Sequence, residues 1–170
     1  METPDEKWFR ERLRHFLEVR HPPRQFHRAM IERRSRLAFE SYVQSVEQGT
    51  TADSAVRAAD KVLFRGLLFS KYDTVHLILA TDFPAISESQ RQEVALRLTR
   101  ICAPIFRAYN LNDDFAERPE FRQLKEDLRT GIRIWIDENG VPGYRSPARK
   151  EHPPVPYSRQ PQCRKHNKRK

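Results

Sequence analysis

Cysteine, glycine and long apolar runs are all scarce in this 170-residue chain, and each scarcity removes a class of protein. Two cysteines cannot staple a disulfide scaffold. Cys102 lies in an apolar helical stripe and Cys163 in the last segment, so a bond between them is not expected and a reducing cytoplasm fits. Five glycines exclude a collagen-like repeat. No apolar run approaches the roughly 18 residues that cross a bilayer. The first thirty residues carry charges throughout and show no apolar stretch of a secretory signal. The expectation is a soluble, cytoplasmic protein with no membrane partner. Sustained period-2 alternation, the mark of half-buried strands, is also missing.

What the chain does have is charge, unevenly placed. Residues 7–36 carry ten Lys or Arg against three Glu, whereas residues 37–140 carry thirteen bases against sixteen acids. Residues 141–170 carry nine bases against Glu151 alone. The net charge of +9 therefore belongs to two segments, and such segregation favours a polyanion as partner.

Helical periodicity recurs from residue 5 to Gly140. Phe9, Leu13, Phe16 and Leu17 share one face of a first helix that must stop before His21-Pro22-Pro23, because proline has no N–H and clashes with the preceding turn. Ile31, Ala38, Phe39, Tyr42 and Val46 predict a second helix over about 24–48, ended by Gly49. Thr50 and Asp53 have capping-box spacing before a third helix with Ala55, Ala59, Val62 and Gly66 on its inner face. Ser70 with Asp73, and Ser87 with Gln90, repeat that spacing before two more helices. The second of these aligns Val94, Leu98, Ile101 and Ile105, and Pro104 should kink or end it. A last helix opens at Pro119 as its first residue and closes at Gly140, burying Phe121, Leu124, Leu128, Ile132 and Trp135. The predicted fold class is all-α: a single bundle-like domain of about five to six helices over residues 1–140. Residues 141–170 hold six of the twelve prolines and no Leu, Ile, Phe, Met or Trp. They are expected to form a disordered basic tail.

No residue set spells a reaction. The six histidines include no His-x3-His pair, no Cys-x2-Cys occurs, and phosphate-loop and nucleophile-elbow motifs are missing. Neither a metal nor a cofactor is expected. Asp113 and Asp114, with Glu117 and Glu120 behind them, could serve as paired carboxylates. Their position before the Pro119 helix instead predicts capping of its free N–H groups. A helix-turn-helix across residues 55–82 fails on its second helix, where Val75 to Ala80 offer no Arg, Lys, Asn or Gln to read base edges.

Binding candidates come from the two basic segments. In the tail, Arg145, Arg149, Lys150, Arg159, Arg164, Lys165, Lys168, Arg169 and Lys170 are spaced along a chain that spans roughly 30 Å as a random coil. They suit sequence-independent contact with nucleic-acid phosphates. Arg10, Arg14, Arg24 and Arg28 form a secondary basic face, continued by Arg33, Arg34 and Arg36; local pairing of Glu6 with Arg10 and Glu32 with Arg36 competes for it.

The segments Gly66-Leu67-Leu68-Phe69-Ser70-Lys71-Tyr72-Asp73-Thr74 and Leu111-Asn112-Asp113-Asp114-Phe115, followed by Pro119-Glu120-Phe121, resemble an uncharacterised family of small helical proteins carried on bacterial conjugative transposons. The resemblance runs from about residue 10 to Gly140 and includes Ile31, Arg34, Ala38 and Tyr42. It implies an all-helical domain and a mobile-element setting beside DNA-processing genes, and it transfers no catalytic residue. Within the motifs, Phe69, Tyr72 and Phe115 read as packing anchors, and Ser70, Asp73, Asp113 and Asp114 as structural polar groups. The expected function is that of a non-enzymatic accessory protein, binding nucleic acid through its tail and a protein partner through its body. A protein–protein adaptor or inhibitor that uses no nucleic acid is the alternative, followed by a hydrolase with a carboxylate site.

Overall fold

The computed structural model describes residues 3–142 and Tyr144. Among them the chain forms seven α-helices and two short 3-10 turns, as the all-α reading requires. Their one β feature is an isolated bridge between Val141 and Tyr144.

Helix α1 (Glu6–Arg20) starts where the Asp5 carboxylate accepts the Trp8 N–H at 2.7 Å. It buries Phe9, Leu13 and Leu17, spaced four apart on one face. Pro22–Arg24 then make a 3-10 turn, and α2 (Arg28–Glu47) begins four residues later than its apolar pattern suggests. Its buried line is Ile31, Ser35, Ala38 and Tyr42; Val46 stays exposed. The buried Ser35 hydroxyl is satisfied by donating to the Ile31 carbonyl one turn back.

Helix α3 (Ala52–Leu63) is capped by Thr51 and not by Thr50, with the Thr51 hydroxyl accepting from the Ser54 N–H. Its inner face is Ala55, Ala59 and Leu63, and these small side chains let it lie closely along α2. Gly66 is not on that helix. It follows the helix end in a left-handed conformation, φ 72°, which favours glycine.

Helix α4 (Lys71–Asp82) has the expected cap, Ser70. It buries Thr74, Val75, Ile78 and Leu79, so it is a core element. Ser87 precedes α5 (Glu88–Ile101), but its hydroxyl donates to the Gln90 side chain and caps no backbone N–H. The helix breaks at Cys102, and α6 (Ala103–Arg107) restarts with Pro104 in its first turn. This break adds a helix to the expected count. It also moves the buried line to Ala95, Leu98, Cys102 and Phe106, leaving Ile101 exposed. After a 3-10 turn at Phe115–Glu117, α7 (Glu120–Asn139) buries Leu124, Leu128, Ile132 and Ile136. Phe121 and Trp135 are only partly buried, and Pro119 is the cap of α7 in place of its first residue.

The buried side chains form two clusters. Phe9, Leu13, Leu17, Ile31, Tyr42 and Leu63 belong to one, built on α1–α3. Val75, Leu79, Leu98, Phe106, Phe115 and Leu128 belong to the other, built on α4–α7. The chain passes between them within three residues, for Leu67 enters the first cluster and Phe69 packs on the second.

The packed body continues past Gly140. Val141 is buried, the Gln90 side chain donates to the Pro142 carbonyl at 2.8 Å, and the Tyr144 ring meets Phe83 edge-on at 5.7 Å. The expected boundary of the tail therefore falls a few residues early. Arg145, Arg149, Lys150, Arg159, Arg164, Lys165, Lys168, Arg169 and Lys170 lie outside the described residues.

Candidate functional site

The turn between α3 and α4 leaves peptide groups that no helix satisfies, and side chains from three distant segments take them up. Asp113, in the loop after α6, accepts the Gly66 N–H at 2.7 Å with Oδ2 and the Leu68 N–H at 2.9 Å with Oδ1. Arg34 of α2 donates through Nη1 to the Leu63 and Arg65 carbonyls at 3.1 and 2.6 Å, so a cation meets the negative end of α3. His21 Nε2 lies 2.7 Å from the Leu67 carbonyl, to which it donates. Both motif segments thus meet at one place, joined there by the end of α1.

Asp113 therefore does not cap the Pro119 helix. Its partners are 47 and 45 residues away, and both its oxygens are engaged by them. The Asp114 side chain caps neither the 3-10 turn that follows it nor α7.

Ser70 does two things at this junction. Its hydroxyl donates to the Arg20 carbonyl at the end of α1 and accepts the Asp73 N–H at 3.0 Å. Asp73 in turn takes the Arg20 guanidinium at 2.6 Å. Ser70→Ala is expected to cost about 1–2 kcal/mol, a lost cap plus a lost bond between segments. Urea unfolding measures it, and an unchanged midpoint would show that neither bond contributes. Phe69 stacks edge-on against Phe115 and Phe121, at 5.2 and 6.0 Å, and Tyr72 lies beside the His76 ring at 5.8 Å. Phe115 is buried in the second cluster, and Phe69 and Tyr72 pack against it partly buried.

Burial pushes the His21 imidazole below its ordinary pKa; the Leu67 carbonyl opposes that shift, and the Arg24 charge adds to it. The folded protein thus prefers neutral His21, while the unfolded chain protonates first as pH falls. Stability contributed by this group is complete above about 6.5 and is lost as pH drops from there through the lower folded value. His21→Gln, which keeps a donor for Leu67, should flatten the fall in urea midpoint between about pH 7 and 5. Identical slopes in the two proteins would remove the effect. Burial raises the Cys102 thiol to about 11, which keeps it protonated near neutral pH.

Of the expected secondary basic face, Arg10, Arg33 and Arg36 line one concavity together with Glu6 and Glu32. Arg10 pairs with Glu6 at 2.7 Å, whereas Arg36 pairs with Glu40 and not with Glu32. Arg14 and Arg28 are exposed on α1 and α2. Arg24 turns up elsewhere, lining a cleft of about 310 Å³ at the junction of the two clusters together with Lys71, Tyr72, Phe69 and Asn112. A second concavity, about 540 Å³, lies beside α2 and α3, with Met30, Leu37 and Val62 as apolar lining and Arg33, Arg34 and Arg65 as cations. Lys71, Asn112 and Arg65 line these concavities without standing out in the sequence as binding candidates, whereas Arg33 belongs to the expected basic face. Lys71 and Asn112 stood inside the motifs, and only their meeting with Arg24 was hidden. Among the described residues no group of three or more His, Cys, Asp or Glu is placed to hold a metal ion. No described helix is long and apolar enough to cross a membrane.

Comparison with known proteins fits this geometry. The family described as a domain of unknown function (DUF1896) matches residues 2–141. The chain belongs to that family. The DUF1896 match takes in both motif segments, the α3–α4 turn and all seven helices, and it stops where acidic residues nearly vanish from the sequence. The fold is similar to the crystal structure of protein PG0816 from Porphyromonas gingivalis, with a TM-score of 0.76 and 30% identity. That likeness covers 82% of this chain and 95% of the other. No curated protein matches.

Proposed function

We propose that this DUF1896 protein is a non-enzymatic accessory factor of a mobile genetic element, whose C-terminal basic segment holds nucleic acid without sequence choice while its helical body docks a protein partner. One observation carries the reading: the nine cations of residues 145–170, opposed by Glu151 alone, begin just past the end of both the family match and the packed body. Charge set apart in this way contacts phosphates and carries no base information.

The body supports the second half of the reading. The concavity beside α2 and α3 joins apolar Met30, Leu37 and Val62 to the cations Arg33 and Arg65, a combination that suits an acidic amphipathic helix. The mobile-element setting rests on the resemblance of the two motif segments, and flanking DNA-processing genes are the expected neighbours.

The test compares the full chain with a protein ending at Tyr144, which keeps the Phe83 contact and removes all nine cations. Titration against duplex DNA at low salt should show strong binding only for the full chain. Equal affinity would overturn the reading in favour of an adaptor that uses no nucleic acid.

A further inference from the structure

The cleft between the two clusters has a chemistry of its own, separate from the basic tail. Its walls come from segments far apart in the sequence. Arg24 belongs to the 3-10 turn after α1, Lys71 and Tyr72 to the start of α4, Thr99 to α5, and Asn112 to the loop after α6. Apolar area is supplied by Phe69, Leu111 and Pro23. At about 310 Å³ it stands at the lower end of ligand pockets, which run from roughly 300 to 1,000 Å³. It has room for a phosphate and one small organic group, and a duplex cannot enter it.

The charges are unbalanced inside it. Asp113 is the carboxylate among the lining residues, and both its oxygens are taken by the Gly66 and Leu68 N–H groups. Asp73 next to the cleft is taken by Arg20. Arg24 and Lys71 have no ion pair among the described residues; Lys71 Nζ lies 5.5 Å from the centre of the Phe106 ring. Two cations from different segments thus share a small concavity whose acids are already committed. A phosphate monoester carries about −1.5 to −2 charges near neutral pH and three acceptor oxygens, enough to meet both cations and a neutral donor. A carboxylate brings one charge and leaves a cation unmatched.

We propose that this cleft binds a terminal phosphate monoester, with Arg24 and Lys71 as its cationic clamp and Tyr72 and Asn112 as neutral hydrogen-bonding partners. Two sources carry this chemistry, a free mononucleotide-sized metabolite and the 5′-phosphorylated end of a strand. Binding here is saturable and one to one, unlike the graded, salt-governed attraction assigned to the tail. The two readings can therefore fail separately.

The experiment uses the full chain, isotope-labelled for amide NMR, titrated with adenosine 5′-monophosphate, inorganic phosphate, adenosine and acetate. The expected result is a single saturating set of shifts around Gly66, Lys71 and Asn112. Adenosine 5′-monophosphate should bind at least about tenfold tighter than adenosine or acetate, a difference of about 1.4 kcal/mol. Arg24→Ala and Lys71→Met should each weaken it by about fivefold or more, while Lys61→Ala, on exposed α3 surface, should not. Circular dichroism melts of the variants separate lost binding from lost folding. A second arm compares short 5′-phosphorylated and 5′-hydroxyl oligonucleotides. Preference for the phosphorylated strand assigns the cleft to strand ends, and equal affinity with retained mononucleotide binding assigns it to a free metabolite. No saturation by about 10 mM, equal binding of acetate, or indifference to both cleft substitutions overturns the proposal.

Discussion

Asp113→Ala is expected to lower stability by about 2–3 kcal/mol, a large loss for a residue in neither apolar cluster. Its carboxylate accepts two backbone N–H groups, at 2.7 and 2.9 Å, and hydrogen bonds to a charged group contribute about 1.5–3 kcal/mol each. Both bonds are exposed to water, which brings the expected loss to or below the bottom of their roughly 3–6 kcal/mol sum. For a chain of this size the change should appear as a fall in Tm of about 5–10 °C. Asn in the same place retains one accepting oxygen and should restore about half of the loss. Amide exchange gives the residue-level check, because Gly66 and Leu68 should lose protection together. An alanine variant as stable as the parent would mean that water serves the turn equally well. The α3–α4 turn would then owe its shape to the two apolar clusters alone.

The same residue shows where sequence reasoning reaches its limit. Local signals were legible: Ser70 caps α4, the His21-Pro22-Pro23 run ends α1, and Pro104 opens a new helix just after the break at Cys102. Each depends on a few neighbouring residues and a fixed backbone need. Spacing alone points Asp113 at the nearest helix for the same reason, whereas the Gly66 and Leu68 N–H groups that it accepts are reached only through the fold. Arg12 with Asp60, and Arg20 with Asp73, are ion pairs 48 and 53 residues apart that no spacing rule could nominate. Arg36 had glutamates four residues away on either side, Glu32 and Glu40, and periodicity alone could not choose between them. The candidate cleft divides in the same way. Its motif residues stood out as a pattern, but Arg24 joins them only because the chain turns back after α1.

Between 50 and 200 mM salt, the affinity of the full chain for duplex DNA is expected to fall by on the order of 500-fold, corresponding to about five phosphate contacts at a log–log slope near −4.5. The nine cations after Tyr144 set the upper bound, and not all can sit on phosphates at once. The protein ending at Tyr144 should show a slope no steeper than about −1 to −2, since Arg10 is paired with Glu6 and Arg36 with Glu40, and Glu6 and Glu32 line the same concavity as Arg10, Arg33 and Arg36. Replacing Lys168, Arg169 and Lys170 by Gln should make the slope shallower by up to about 2.7, close to 0.9 per contact removed. Scrambling residues 145–170 at constant composition separates charge from motif. If attraction for phosphates is the whole effect, the scrambled chain keeps both affinity and slope. Should affinity collapse while the cations remain, the order of residues in the segment carries information, and the partner is read by shape or hydrogen bonding in addition to charge.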